Sequence, residues 1–174
     1  MKSKIRIIVP VLLGIVVFAT TAFAYMYRKS ASVDNTFVPA YVECAVNEEF
    51  ADNTKTSVTV QNNGNTDAYI RVKIVSYWTD DEGNIMGIPS KAPVFTPASG
   101  WIPANGAYYY ANKVPDGAST PSLLGSNIVL ETSPEGYHQV VEIFAEAIQA
   151  QPAKAVQEAW GATVGTNGAI TSVN

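Results

Sequence analysis

The feature that most constrains the fold is the alternation of apolar and polar side chains in two long stretches, residues 66–78 and 137–150. In the first stretch, one face of an extended chain carries Ala68, Ile70, Val72, Ile74 and Trp78. The opposite face carries Tyr69, Arg71, Lys73 and Tyr77. A period of two residues is the pattern of a β-strand with one face on a hydrophobic core. Each stretch therefore predicts a long strand.

Shorter stretches of the same kind predict further strands at residues 56–61, 107–114 and 127–132. Between them, residues 80–84 have the composition of a turn. The segments 88–105 and 115–121 are rich in Pro, Ser and Gly and predict loops.

The pattern changes to a helical one near the C-terminus. Pro152 suits the first turn of a helix, and Val156 and Trp160 lie on one helical face. We predict an all-β fold, an antiparallel jelly-roll-like sandwich over residues 39–160, with one short C-terminal helix and a flexible tail at 161–174.

The N-terminus has the features of a secretory signal peptide over residues 1–24. Three basic residues precede an apolar run at 7–19, and small residues follow. The predicted cleavage site comprises Ala22, Ala24 and Tyr25. A retained membrane anchor is the alternative, but a spanning helix needs about 20 apolar residues. The chain is therefore expected to be secreted.

The net charge and the single cysteine limit the kinds of partner that the chain is expected to have. Eleven basic residues less three in the signal peptide leave eight against fifteen acidic ones, a mature charge of −7. This balance argues against nucleic-acid binding. The single cysteine, Cys44, cannot form an internal disulfide. It is either a buried thiol or half of an intermolecular bridge.

Residue types give little support for catalysis. The only histidine is His138, the zinc-ligand spacings are missing, and no Gly-x-Ser-x-Gly motif occurs. We interpret Glu142 and Glu146 as solvent-facing strand residues and the acidic segment 80–84 as a solvated turn rather than a calcium loop. The prediction is a protein that is not an enzyme, with no catalytic residue, metal or cofactor.

Aromatic residues offer a possible binding patch. Tyr108, Tyr109 and Tyr110, with Trp101 and Tyr77, would suit a glycan or protein partner. The other interpretation puts Tyr108 and Tyr110 in the core and leaves Tyr109 at the surface.

Three pairs of segments together resemble one family. They are residues 24–27 with 32–40, 58–62 with 68–73, and 145–150 with 155–160. The chain resembles the SipW-dependent biofilm matrix proteins, a Gram-positive family that includes TasA, camelysin (CalY) and BsaA, and it is most similar to BsaA. The resemblance implies a jelly-roll subunit that polymerises into extracellular matrix fibres at the cell surface.

The resemblance also implies how copies would join. A donor strand at residues 25–38, carrying Val33, Thr36, Phe37 and Val38, would add to a sheet edge of another copy after cleavage by a dedicated signal peptidase. Membrane association would end with that cleavage. Pairing of the segment within its own subunit is the alternative.

A covalent link between copies is a further hypothesis, drawn from Gram-positive fibre subunits in general. Fibre subunits of this type sometimes join a lysine amine to an Asn or Asp side chain, and Lys29 and Lys73 are the candidate isopeptide lysines. Two other functions remain open, a monomeric adhesin or glycan-binding module and a camelysin-like secreted protease. The His-Glu-x-x-His motif of zinc proteases is missing from the sequence.

Overall fold

A computed structural model describes residues 38–174 of the chain. Within that range, Pro39–Asn174 forms one compact unit. The predicted signal peptide and cleavage site, Lys29, and most of the predicted donor strand lie outside the described residues. Val38, the last residue of the predicted donor strand, is described and is 72% exposed.

Two antiparallel sheets form the body of the described chain. The first has strands β1 (Cys44–Ala51), β2 (Thr54–Asn62) and β6 (Ile128–Val129), in the order β1-β2-β6. The second has the order β4-β5-β3-β7. Its strands are β4 (Trp101–Ala104), β5 (Ala107–Tyr110), β3 (Ala68–Thr79) and β7 (His138–Gln149). The all-β prediction is confirmed.

The two long strands predicted from alternation are β3 and β7. They pair with each other along their whole length, from Ala68 opposite Gln149 to Thr79 opposite His138. Ile70 and Val72 of β3 enter the main core as predicted, and Ile74 packs against it. This core lies between the sheets and contains Val58, Val60, Ile70, Val72, Trp101, Val114, Leu123, Leu124 and Ile128.

A second hydrophobic cluster covers part of the opposite face of the larger sheet. The helix α1 (Lys154–Trp160) is the one helix of the described chain. It ends at Gly161, which takes a left-handed φ of 66° that favours glycine. Val156 and Trp160 are buried against Tyr69 and Tyr109 of the sheet.

The predicted flexible tail is ordered instead. It forms a hairpin of β8 (Ala162–Val164) and β9 (Ile170–Val173), which contributes Ala162 and Ile170 to the second cluster. Val164 and Val173 also pack against this cluster, and the hydroxyl of Tyr69 donates to the carbonyl of Gly168 at 2.8 Å, so the hairpin is held although the segment is rich in Gly, Thr and Ser. A second correction concerns the predicted loop 88–105, whose last residues form β4 beside β5.

Candidate functional site

The candidate site is the junction of two sheet edges, β1 and β7. In the described chain each of these strands pairs on one side only, β1 with β2 and β7 with β3. The two strands pass close to each other although they belong to different sheets. We call this junction the seam. An open strand edge offers unpaired backbone groups to another extended chain.

The hydrophobic core is incompletely covered along the seam. The core-facing side chains there are only partly buried, namely Cys44, Val46, Ile143, Ala145 and Ala147. In contrast, Ile70 and Val72 on the neighbouring strand β3 are fully buried. The five seam side chains would be buried more completely if another strand docked beside them.

The backbone of β7 presents its unpaired groups to the seam at the same residues. The N–H of Ala150 donates to the carbonyl of Asp67 on the β3 side at 2.8 Å, so even-numbered residues bond towards β3. Successive residues of a strand direct their N–H and C=O groups to opposite sides. Ile143, Ala145 and Ala147 therefore combine apolar side chains on the core with free backbone groups at the edge.

One end of the seam is closed by an ion pair between the buried Lys55 and the more exposed Glu48. Lys55 is 4% exposed, and its Nζ contacts the carboxylate of Glu48 and lies 3.4 Å from the carbonyl of Val141 on β7. Unbroken alternation from Val58 and Val60 would put Lys55 on the outer face of its strand. A bulge opposite Glu49 and Phe50 reverses the alternation and turns Lys55 inward.

Cys44 lies at the other end of the seam. It is partly buried and faces the core, opposite Asn62 of β2. Burial raises the pKa of its thiol, and the nearby carboxylates of Glu146 and Glu43 raise it further. The thiol is therefore mainly protonated at neutral pH and unreactive for a cysteine.

Lys73 does not have the environment that the isopeptide hypothesis requires. Its side chain is 46% exposed and lies 3.7 Å from the carboxylate of Glu146. Desolvation of the amine, which the hypothesis needed for a neutral nucleophile, is not found there. The buried lysine of the described chain is Lys55, which sequence reasoning missed.

The residues considered for catalysis form separate pairs rather than one cluster. Glu142 accepts a hydrogen bond from the hydroxyl of Tyr77 at 2.8 Å, and Glu146 accepts one from Nε of Arg71 at 2.9 Å. The exposed His138 lies 3.8 Å from Asp81. Within residues 38–174, no group of three or more His, Cys, Asp and Glu side chains is arranged to hold a metal ion.

The acidic turn after β3 is closed by its own hydrogen bonds. Asp80 accepts hydrogen bonds from the backbone N–H of Asn84 at 2.7 Å and from its side-chain amide at 2.9 Å. These bonds lower the pKa of the Asp80 carboxyl. Its carboxylate oxygens therefore stabilise the turn itself.

The aromatic residues proposed as one binding patch are distributed over both faces of the larger sheet. Trp101 is buried in the main core, and Tyr110 packs on it with a centroid distance of 5.3 Å. Tyr109, expected at the surface, is buried on the opposite face against Trp160. Tyr109 is buried because helix α1 packs on this face of the sheet. The sequence pattern predicted the helix but not its position on the sheet.

Comparison with known proteins identifies no relative. No family model matches the chain, and neither a curated protein nor a solved structure matches it. A search of the described helices finds none that is long and apolar enough to cross a membrane.

Proposed function

We propose that this chain is a secreted structural subunit of extracellular biofilm-matrix fibres. After a dedicated signal peptidase cleaves at Ala24, residues 25–38 would dock as a donor strand in the seam of another copy. The sandwich would be of jelly-roll type, and the fibre would be a homopolymer that needs no cofactor. The observation that carries the proposal is the seam, where free backbone groups and partly buried apolar side chains coincide.

The donor segment has side chains that suit the seam. Val33 and Phe37 are four residues apart and lie on the same face of an extended chain. Ile143 and Ala147 have the same spacing on β7. Backbone hydrogen bonds to β7 would supply affinity, and the two larger donor side chains would fill the open part of the core.

Exchange between copies is favoured by the path of the chain before β1. The carbonyls of Glu43 and Tyr41 accept hydrogen bonds from Asn63 and Asn65, and the side chain of Asn65 bonds to the carbonyl of Pro39. These bonds hold residues 39–43 beside Asn63 and Asn65, beyond the end of the seam at Cys44. A donor segment that leaves in this direction reaches a neighbouring copy without reversing its path.

Repeated donation generates a filament. Each subunit gives one strand and receives one at a different surface, so the contact is heterologous and head-to-tail. Such a contact leaves an unfilled seam at one end of the polymer and a free donor segment at the other. Growth therefore continues as long as processed subunits are supplied.

Electron microscopy of two purified chains tests the proposal. The chain beginning at Tyr25 should form filaments when it is concentrated, whereas a chain beginning at Pro39 should remain monomeric. A synthetic peptide of residues 25–38 should bind the shorter chain, and a peptide of the same composition in scrambled order should not. Filaments formed equally by both chains would refute strand donation.

A further inference from the structure

The charge pair at the end of the seam faces inward. Glu48 lies opposite Val58 in the β1–β2 register, so its side chain shares the core face with that valine. Lys55 reaches the same place from β2 because of the bulge in the pairing. Inward-facing charges on an edge strand are a known means of limiting strand addition. The apolar part of the seam therefore stops at this pair.

Lys55 also occupies the edge of β7 directly. Its amine lies within hydrogen-bond distance of the Val141 carbonyl, which is an odd-numbered group directed to the seam. A strand that docked against Val141 would have to displace this amine. The free part of the edge thus begins at Ile143 and continues through Ala145 and Ala147.

We propose that the Lys55–Glu48 pair is a register stop that fixes where an incoming strand docks on β7. This inference rests on the proposed strand donation and adds the residues that determine its register. A shift by one residue would turn the apolar donor side chains away from the core, so the competing alignments differ by two residues. The alignment shifted towards Val141 is opposed because it would displace the buried amine of Lys55 from the Val141 carbonyl and from its partner Glu48.

Disulfide mapping in the chain that begins at Tyr25 tests the register stop. Cys44→Ala removes the native thiol, and Phe37→Cys marks the donor strand. Separate acceptor chains carry one cysteine at position 141, 143, 145 or 147. Donor and acceptor chains are mixed, assembled and oxidised, and the cross-linked dimers are quantified at each position. One position should dominate when Lys55 is intact.

Lys55→Met in the acceptor chain should extend cross-linking by two residues towards position 141. The double variant Lys55→Met/Glu48→Gln removes both charges, so it tests the same point if the single variant is poorly folded. Lys73→Met is the matched control, because it removes an exposed lysine from β3, the strand that pairs with β7. It should leave the cross-linking pattern unchanged.

The outcomes separate the two proposals. An identical pattern with and without the Lys55–Glu48 pair would overturn the register stop while leaving strand donation in place. No cross-link at any position in any assembled sample would overturn strand donation itself. A shift produced equally by Lys73→Met would show that overall charge, rather than this pair, sets the alignment.

Discussion

Proline substitutions in β7 should distinguish the edge that pairs with β3 from the open edge at the seam. Proline lacks the backbone N–H and is tolerated only where that group is not needed. Ala145 directs its N–H to the seam, whereas Phe144 directs its N–H to Lys73 on β3. Ala145→Pro should therefore abolish assembly and preserve the fold. Phe144→Pro should damage the fold.

The expected magnitudes follow from the hydrogen bonds that each substitution removes. Phe144→Pro leaves a carbonyl of the central strand without its partner, which costs about 1–3 kcal/mol of unfolding free energy. Ala145→Pro breaks no bond of the β3–β7 ladder. Its reduced unfolded-state entropy offsets part of any strain, so we expect a change within about 1 kcal/mol.

Two assays, on chains of two lengths, measure these effects. Urea unfolding of each variant of the chain beginning at Pro39 gives the stability, and Phe144→Ala corrects for the loss of the aromatic side chain. Light scattering of the corresponding chains that begin at Tyr25 gives the extent of assembly. Normal filaments from Ala145→Pro would show that β7 does not receive the strand. Equal destabilisation by both prolines would show that the odd-numbered backbone groups are not free.

Three other predictions concern separate parts of the molecule. Cys44 should react slowly with iodoacetamide at neutral pH and faster as pH rises above the ordinary thiol range, because burial raises its pKa; assembly should slow the reaction further, and an unchanged rate in filaments would contradict docking in the seam. Trp160→Ala should lower the unfolding free energy by about 3–5 kcal/mol, measured in urea, because Trp160 packs on Tyr109 in the second cluster; a loss below about 1 kcal/mol would mean that this cluster is not a core. The pKa of Asp80 is lowered, so its bonds to Asn84 should persist below the usual carboxyl range and be lost as pH falls through the folded-state pKa; NMR of the Asn84 amide follows this, and loss at the ordinary carboxyl pKa would contradict it.

Local alternation was sufficient to predict the two long strands. In β3, Ala68, Ile70 and Val72 are fully buried, as expected for one face of a strand on a core. The prediction succeeded because a strand that is buried on one face has alternating apolar and polar residues in its sequence. The short helix was predicted for the same reason, from the shared face of Val156 and Trp160.

The seam could not be predicted because it depends on strand order. Nothing in the residues of β7 states that only β3 pairs with it, or that β1 lies on its other side. The position of Lys55 could not be predicted because it depends on a bulge in the β1–β2 pairing. One extra residue creates the bulge, and the residues before it then face the opposite side of the sheet. The hairpin within residues 161–174 could not be predicted either, because it packs on a surface that other parts of the chain provide.

Amide hydrogen exchange along β7 shows whether an incoming strand pairs with its open edge. In the chain that begins at Pro39, we expect the amides of Ile143, Ala145 and Ala147 to exchange quickly and those of residues 142, 144 and 146 to exchange slowly. Adding the 25–38 peptide should protect the three odd-numbered amides. If they remain fast while the peptide is bound, the strand docks elsewhere and the account of the seam is wrong.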